Sequence, residues 1–257
     1  FYLYTMCIDE FFARGIMQIA FKKCVRKERA FFFVHHRSPK TSGGFKMPNT
    51  LVLSDADRAM IQEFEKSGVF GPLNGHRLKL DHGVVLVSCS DGDQMPHIFQ
   101  AKTDLWLDSG ADPRIHLCAL NGGALTIGTQ ASHFPENIVL AGNAMMDSIE
   151  GGCVMKGISM VAIYTHAPCG IARMCELSLR DQVDLLVRAK FRIKTGRKNV
   201  SVACFFQCDF GNGKKEIFFV SKDAWREYCE KTGYKPSWIK PIAGDPHDLQ
   251  FRSGKRH

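Results

Sequence analysis

From residue 47 onward the chain alternates short apolar runs with amphipathic stretches, and the period of each predicts its element. The stretch "DADRAMIQEFEKSG" follows Ser54, a favoured N-cap residue, and puts Asp55 and Asp57 in the first turn, where negative charge suits the helix dipole. Ala56, Met60 and Phe64 fall on one helical face and Gly68 closes the pattern, so a helix is predicted there. "GVVLVSCS" (83–90) is a continuous β-rich run ending in a polar turn, and "RIHLCALNGGAL" (114–125) is a second, broken by Gly122 and Gly123. "ENIVLAGNAMMDSIEGGCVMKG" (136–157) mixes apolar and small residues and is predicted to contain a helix, before "GISMVAIYTH" (157–166) forms a third strand. Over 169–196, Leu177, Val183, Leu185, Leu186 and Val187 recur at helical spacings. "NVSVACFFQCDFGNGKKEIFFVS" (199–221) is two apolar runs around "GNG", a hairpin signal. "SKDAWREYCEKTG" (221–233) has an N-cap serine and a terminal glycine, the marks of a last helix.

Continuous apolar strands alternating with helices imply a mostly parallel sheet buried on both faces. The predicted fold is therefore α/β, a three-layer domain over 47–233 with a mostly parallel central β-sheet flanked by helices. Ligands of such sheets bind beyond the carboxyl ends of the strands. Residues 1–46 stand apart: they hold eight of the 19 Phe, include "FFF" and "FKKCVRKERA", and show neither a helical nor a strand period. They are expected to be a disordered or non-native leader, with a basic membrane-surface segment or an arm against a partner subunit as alternatives. The tail 234–257, rich in Pro, Gly and charge, is expected to wrap the surface or to be disordered. No internal repeat of solenoid period occurs.

Charge and composition narrow the function class. The net charge of +8 is concentrated in residues 1–46, which hold nine of the 34 Lys/Arg and three of the 26 Asp/Glu; the other 211 residues carry 25 basic and 23 acidic side chains. A basic nucleic-acid footprint is thus absent from the body, and no nucleic-acid partner is expected. No run approaches the ~18 apolar residues of a membrane span, so no membrane partner is expected either. Ten cysteines at irregular spacing, in a chain large enough to fold without staples, read as reduced thiols of a cytoplasmic protein.

Candidate chemistry sits at two strand ends. The first run terminates in "SCSDGDQ", with Cys89, Asp91 and Asp93; the third terminates in "THAPCG", with His166 and Cys169. If these strands are neighbours, two thiolates and an imidazole converge as a Cys₂His set, a zinc arrangement that keeps a fourth position open. Soft thiolates favour zinc over magnesium or calcium. The competing reading is that each Cys is a small core residue at a strand end. The other cysteines read as packing: Cys204 and Cys208 share one face of a strand, and Cys118 and Cys153 lie in apolar runs. His76 and His82 precede the first strand as exposed or satisfied histidines, one of them a possible proton shuttle. "RAKFRIKTGRKN" (188–199), with six Lys/Arg, reads as a solvated helix end.

"CSDGD" (89–93) followed far downstream by "THAPCG" (165–170) resembles the β-class carbonic anhydrases, whose motifs are C-x-D-x-R and H-x-x-C-G. "LNGGAL" (120–125) is similar to that family's R-N-A-G-N segment, "DSIEGGCVMKGISMVAIYTHAPCGIA" to its helix, strand and second ligand loop, and "NVSVACFFQCDFGNGKK" to its late strand and turn. The resemblance spans roughly 80–220. It implies one Zn²⁺ per subunit held by Cys89, His166 and Cys169, obligate homodimers or higher homo-oligomers, and reversible hydration of carbon dioxide to bicarbonate by a zinc-bound hydroxide. Asp91 takes the position whose carboxylate orients that hydroxide. The motif Arg is replaced by Asp93. In the family that Arg pairs with the Asp and holds it off the metal. Two outcomes follow: Asp91 closes the tetrahedron, or an Arg from elsewhere, among Arg77, Arg114 and Arg173, supplies the clamp. The corresponding alternatives in function are a non-catalytic zinc-binding relative with a structural or binding role, and a zinc hydrolase of another small linear molecule such as carbon disulfide.

Overall fold

The computed structural model describes residues 51–73, 82–108, 114–129, 133–211 and 213–236. The expected N-terminal extension, the tail beyond residue 236, His76 and Arg77 lie outside the described residues. The fold is α/β, with a six-stranded, mostly parallel sheet flanked by helices.

In chain order the elements are α1 (Asp55–Lys66), β1 (Phe70–Gly71), β2 (Val84–Ser88), α2 (Met95–Asp108), β3 (Ile115–Ala119), α3 (Ala124–Gly128), α4 (Glu136–Lys156), β4 (Met160–Ala167), α5 (Gly170–Met174), α6 (Leu179–Gly196), β5 (Ser201–Asp209), β6 (Lys215–Val220) and α7 (Lys222–Thr232). The sheet order is β1-β6-β5-β4-β2-β3. β5, β4, β2 and β3 run parallel, while β6 and β1 add antiparallel at one side. Every residue of β2 and β4 is buried, as a parallel strand covered on both faces requires.

Alternation along the strands divides the core. Val85, Val87, Val161, Ile163, Val202, Cys204 and Phe206 face α1, α4, α6 and α7, whereas Leu86, Ala162, Tyr164 and Phe205 face α2. Phe64 of α1 is fully buried between the rings of Phe70, Trp225 and Tyr228. That packing rotates the helix so that Ile61 and Phe64 are its buried residues, and Ala56, predicted on the inner face, is exposed. α1 and α6 both start with a reciprocal capping box, Ser54 with Asp57 and Ser178 with Asp181. Asp181 also accepts from Tyr234 Oη at 2.6 Å, so the first residue of the tail is anchored on the domain.

Small residues in α4 are contact points. A Cβ at Gly142 would collide with the Thr126 carbonyl, and one at Gly152 with the His116 ring. The mixed apolar and small pattern is thus what lets α4 lie close on α3 and β3. α2 escaped the sequence reading because its buried face carries a lysine. Lys102 lies one turn from Ile98, fully buried, with Nζ 5.2 Å from the centroid of the Phe205 ring. Burial lowers its pKa to about 8.

Candidate metal centre

β2 and β4 are hydrogen-bonded neighbours running in the same direction, so their carboxyl ends open on one edge of the sheet. Cys89 is the first residue after β2, His166 is the penultimate residue of β4, and Cys169 is the N-cap residue of α5, separated from β4 by Pro168 alone. Their donor atoms all lie within 4.8 Å of one another. All three are desolvated, at 7 %, 1 % and 4 % exposure.

The turn after β3 crosses over this point and holds the first ligand. Gly122 N–H donates to Cys89 Sγ (3.3 Å), and Leu120 exchanges backbone hydrogen bonds with Ser88 and Ser90. Ser90 Oγ adds a bond to Asn121 Oδ1 (2.8 Å). Gly123, at φ 51°, presses its α-carbon on the backbone of Ser88 and Cys89, where a Cβ would collide. The "LNGGAL" segment therefore holds Cys89 mainly through its backbone, with the Asn121 side chain adding a bond to Ser90.

The two thiols share a proton unequally. Cys89 sulfur accepts from the Cys169 thiol, with His166 alongside and Gly122 N–H behind it, which lowers its pKa to about 4 despite burial. Cys169, donating to Cys89 and buried, is raised above the ordinary thiol value of 9.0. Cys89 is thus the more acidic of the two thiols. Both ring nitrogens of His166 are buried and lack a hydrogen-bond partner among the described residues. An imidazole so placed would cost free energy unless another group meets it. Two cysteines and a histidine whose donor atoms all lie within 4.8 Å of one another could hold a metal ion.

Asp91 stands beside the three. Its Oδ2 is 4.0 Å from His166 Nε2. Its Oδ1 accepts from Asp93 N–H (2.9 Å), and its carbonyl accepts from Gln94 and Met95 N–H, leading the chain into α2. The side chain of Asp93 is exposed and makes none of these bonds. None of the proposed arginines that the structure describes meets Asp91. Arg114 donates to the His82 and Lys156 carbonyls (3.4 and 3.0 Å) at the opposite end of β3, and Arg173, on α5, is exposed and forms no ion pair with Asp91. The expectation for Arg114 is corrected, because the start of β3 lies at the opposite end of the strands from the site; Arg173, close in sequence to Cys169, makes no ion pair with Asp91 among the described residues. His82 likewise is exposed just before β2, away from the site.

A polar annex adjoins the centre that sequence reading missed. Gln207 of β5 pairs in register with His166. Its Nε2 donates to Gln94 Oε1 (3.1 Å) and lies 3.2 Å from His97 Nδ1. Gln94 Nε2 in turn donates to Asp209 Oδ2 (3.1 Å), which pairs with Lys215 Nζ at 3.3 Å. Burial, aided by the charge on Lys215, lowers the His97 pKa. The one available signal was Gln207 itself, a polar residue inside the apolar run "CFFQC". Cys204 and Cys208 of that run are core residues, as are Cys118 and Cys153. Burial pushes the thiols of Cys118 and Cys204 up to about 11 and about 12. Of the basic run at 188–199, Arg188 pairs with Asp184, Arg192 donates to Ile127 O and Asn143 Oδ1, and Arg197 donates to Glu150 O. Arg192 and Arg197 thus tie this end of α6 to α3 and α4 rather than only solvating it.

No family model and no curated protein matches the chain. Among solved structures it is similar to the β-carbonic anhydrase CcaA at 10 % identity and TM-score 0.30, over 65 % of this chain and 91 % of that one. It is also similar to a carbonic anhydrase from Streptococcus mutans (13 %, TM-score 0.29, over 66 % and 100 %). A third is the β-carbonic anhydrase CafA of the fungal pathogen Aspergillus fumigatus (12 %, TM-score 0.28, over 68 % and 90 %).

Proposed function

We propose that the chain holds one zinc ion on Cys89, His166 and Cys169 and catalyses the reversible hydration of carbon dioxide to bicarbonate. The observation that carries this reading is the buried Cys–His–Cys cluster, with both histidine nitrogens unpartnered and a carboxylate 4.0 Å away. Bound there, zinc would lower the pKa of a coordinated water to about 7 and so supply a nucleophile at neutral pH.

The chain's own residues do the rest. Cys89, the more acidic thiol, and Cys169 would bind the metal as thiolates, giving up their protons and offsetting its charge. His166 presents its ring from the penultimate position of a strand buried along its whole length. Asp91 has Oδ1 occupied by Asp93 N–H, which leaves Oδ2 to accept a hydrogen bond from the attacking oxygen and aim its lone pair at carbon dioxide. Hydration releases one proton as bicarbonate forms, and the reverse reaction takes one up.

A second reading is favoured by one observation: Asp93 stands where the resemblance implies an arginine, and Asp91 is near enough to close the metal site. The zinc is then structural and the protein serves as a binding partner. Stopped-flow measurement of carbon dioxide hydration by the full chain, after its zinc content is determined, separates the two. Rates well above the buffer blank that vanish in Cys169→Ser, together with the zinc, support the enzyme. A zinc-loaded chain without activity on carbon dioxide or carbon disulfide supports the structural role, and full zinc retention by Cys169→Ser sinks the ligand assignment.

The eight described cysteines are all free thiols, which supports a reducing, cytoplasmic setting. No described helix is long and apolar enough to cross a membrane. For the homodimer, β3 supports the reading: among the described residues it pairs only with β2, and Leu117 and Leu120 beside its open edge are 41 % and 39 % exposed. Light scattering of the full chain would read the subunit count.

A further inference from the structure

We infer that Lys215 is the positioning residue that holds Asp91 away from the metal, acting through the backbone of Asp93. The inference rests on the zinc reading above.

Asp91 needs such a restraint. Nitrogen and oxygen donors to one tetrahedral zinc lie about 3.4 Å apart. Asp91 Oδ2 is 4.0 Å from His166 Nε2, near enough to compete for a place on an ion held by that ring. A dication with one open position attracts a neighbouring carboxylate, and Asp91, with its side chain 32 % exposed, is only partly screened from it by water. The bond from Asp93 N–H to Asp91 Oδ1 is local: it joins residues two apart and moves with the loop. Whether the loop itself stays put depends on what grips it from outside.

Lys215 is that grip. Its Nζ donates to the Asp93 carbonyl, so one residue is held at both ends: its N–H fixes Asp91 and its C=O is fixed by the ammonium. The ammonium in turn has little freedom. It pairs with Asp209 Oδ2 at 3.3 Å, and Lys215 and Asp209 are register partners at the mouth of the β5–β6 hairpin. Asp209 is itself pinned by Gln94 Nε2 (3.1 Å) and Gly211 N–H (2.9 Å). Lys215 is only 19 % exposed, so its charge is poorly screened. Among the described residues no guanidinium reaches Asp91, and the exposed side chain of Asp93 plays no part. An aspartate can occupy position 93 because the restraint runs through its main chain.

The test uses the full chain loaded with cobalt(II), whose visible spectrum reports coordination, and azide as a probe of the open position. In the unaltered chain azide should bind and shift the spectrum. In Lys215→Met, Asp91 should enter the coordination sphere, altering the spectrum before azide is added and weakening azide binding at least about tenfold, or about 1.4 kcal/mol. Lys215→Arg should behave as the unaltered chain, and Lys215→Met with Asp91→Asn should regain azide binding, which a general loosening of the fold would not do. A folded, cobalt-loaded Lys215→Met with unchanged azide affinity, or a loss that Asp91→Asn does not repair, overturns the inference. Should Lys215→Met fail to fold, Asp209→Asn loosens the same ammonium, and there too an unchanged azide affinity overturns it. Failure of the unaltered chain to take up cobalt or zinc overturns the metal reading and this inference together.

Discussion

Cys89 is the residue on which most of the site depends. The Cys169 thiol, His166 and Gly122 N–H lower its pKa to about 4, against 9.0 for an ordinary thiol. Between those values the unfolded chain binds a proton that the folded, metal-free chain does not, so stability rises with pH. The contribution is fully present above about 9 and lost as pH falls through about 4. Chemical denaturation of the metal-free chain across that range should show the rise, and Cys89→Ser should flatten it. Gly123 is the other residue with no freedom to change. A side chain there meets the backbone of Ser88 and Cys89 at a positive φ. Gly123→Ala should cost on the order of 3 kcal/mol and weaken metal binding as well, measurable by urea denaturation and metal content. The candidate ligands were legible in the sequence because their chemistry is local: "CSDGD" and "THAPCG" show thiols and an imidazole at strand ends. The pKa difference between the two thiols was not legible, since it arises from their contact.

Elements were legible wherever the apolar period was uninterrupted. β2, β4 and the β5–β6 hairpin all form as their patterns predict, and both ends of α7 match its serine and glycine. α2 is the exception with a cause: Lys102 on its buried face breaks the apolar repeat that would have revealed it. The stretch 169–196 also resolves into two helices, α5 and α6, because Ser178 starts a new helix with its own capping box. Losing an N-cap of this kind costs about 1 kcal/mol, so Ser178→Ala should lower stability by that amount. Asp181 keeps its bond to Tyr234, which sets an upper limit on the damage. Thermal unfolding of the variant beside the unaltered chain checks the value. The same stretch shows why α5 matters to the site: its short turn delivers Cys169 back beneath β4, beside the strand that carries His166.

For the whole molecule, a metal on Cys89, His166 and Cys169 would bridge the end of β2 to the turn after β4 and so oppose unfolding. With free zinc at a thousand times its dissociation constant, that linkage amounts to about 4 kcal/mol. Chelation should therefore lower the melting temperature of the full chain, re-addition of zinc should restore it, and Cys169→Ser should respond to neither. By itself the sequence determined the layer architecture, most of the elements and the identity of the candidate ligands, because periodicity and turn chemistry are written within a few residues. Only the tertiary structure decided that β2 and β4 are neighbours, that the turn after β3 covers Cys89, and that Lys215 from a late hairpin reaches back to Asp93. Apolar alternation specifies which face of a strand is buried but not which strand lies beside it. A site assembled from three strand ends and a hairpin is thus visible in its parts along the chain, and in its arrangement only once the sheet has formed.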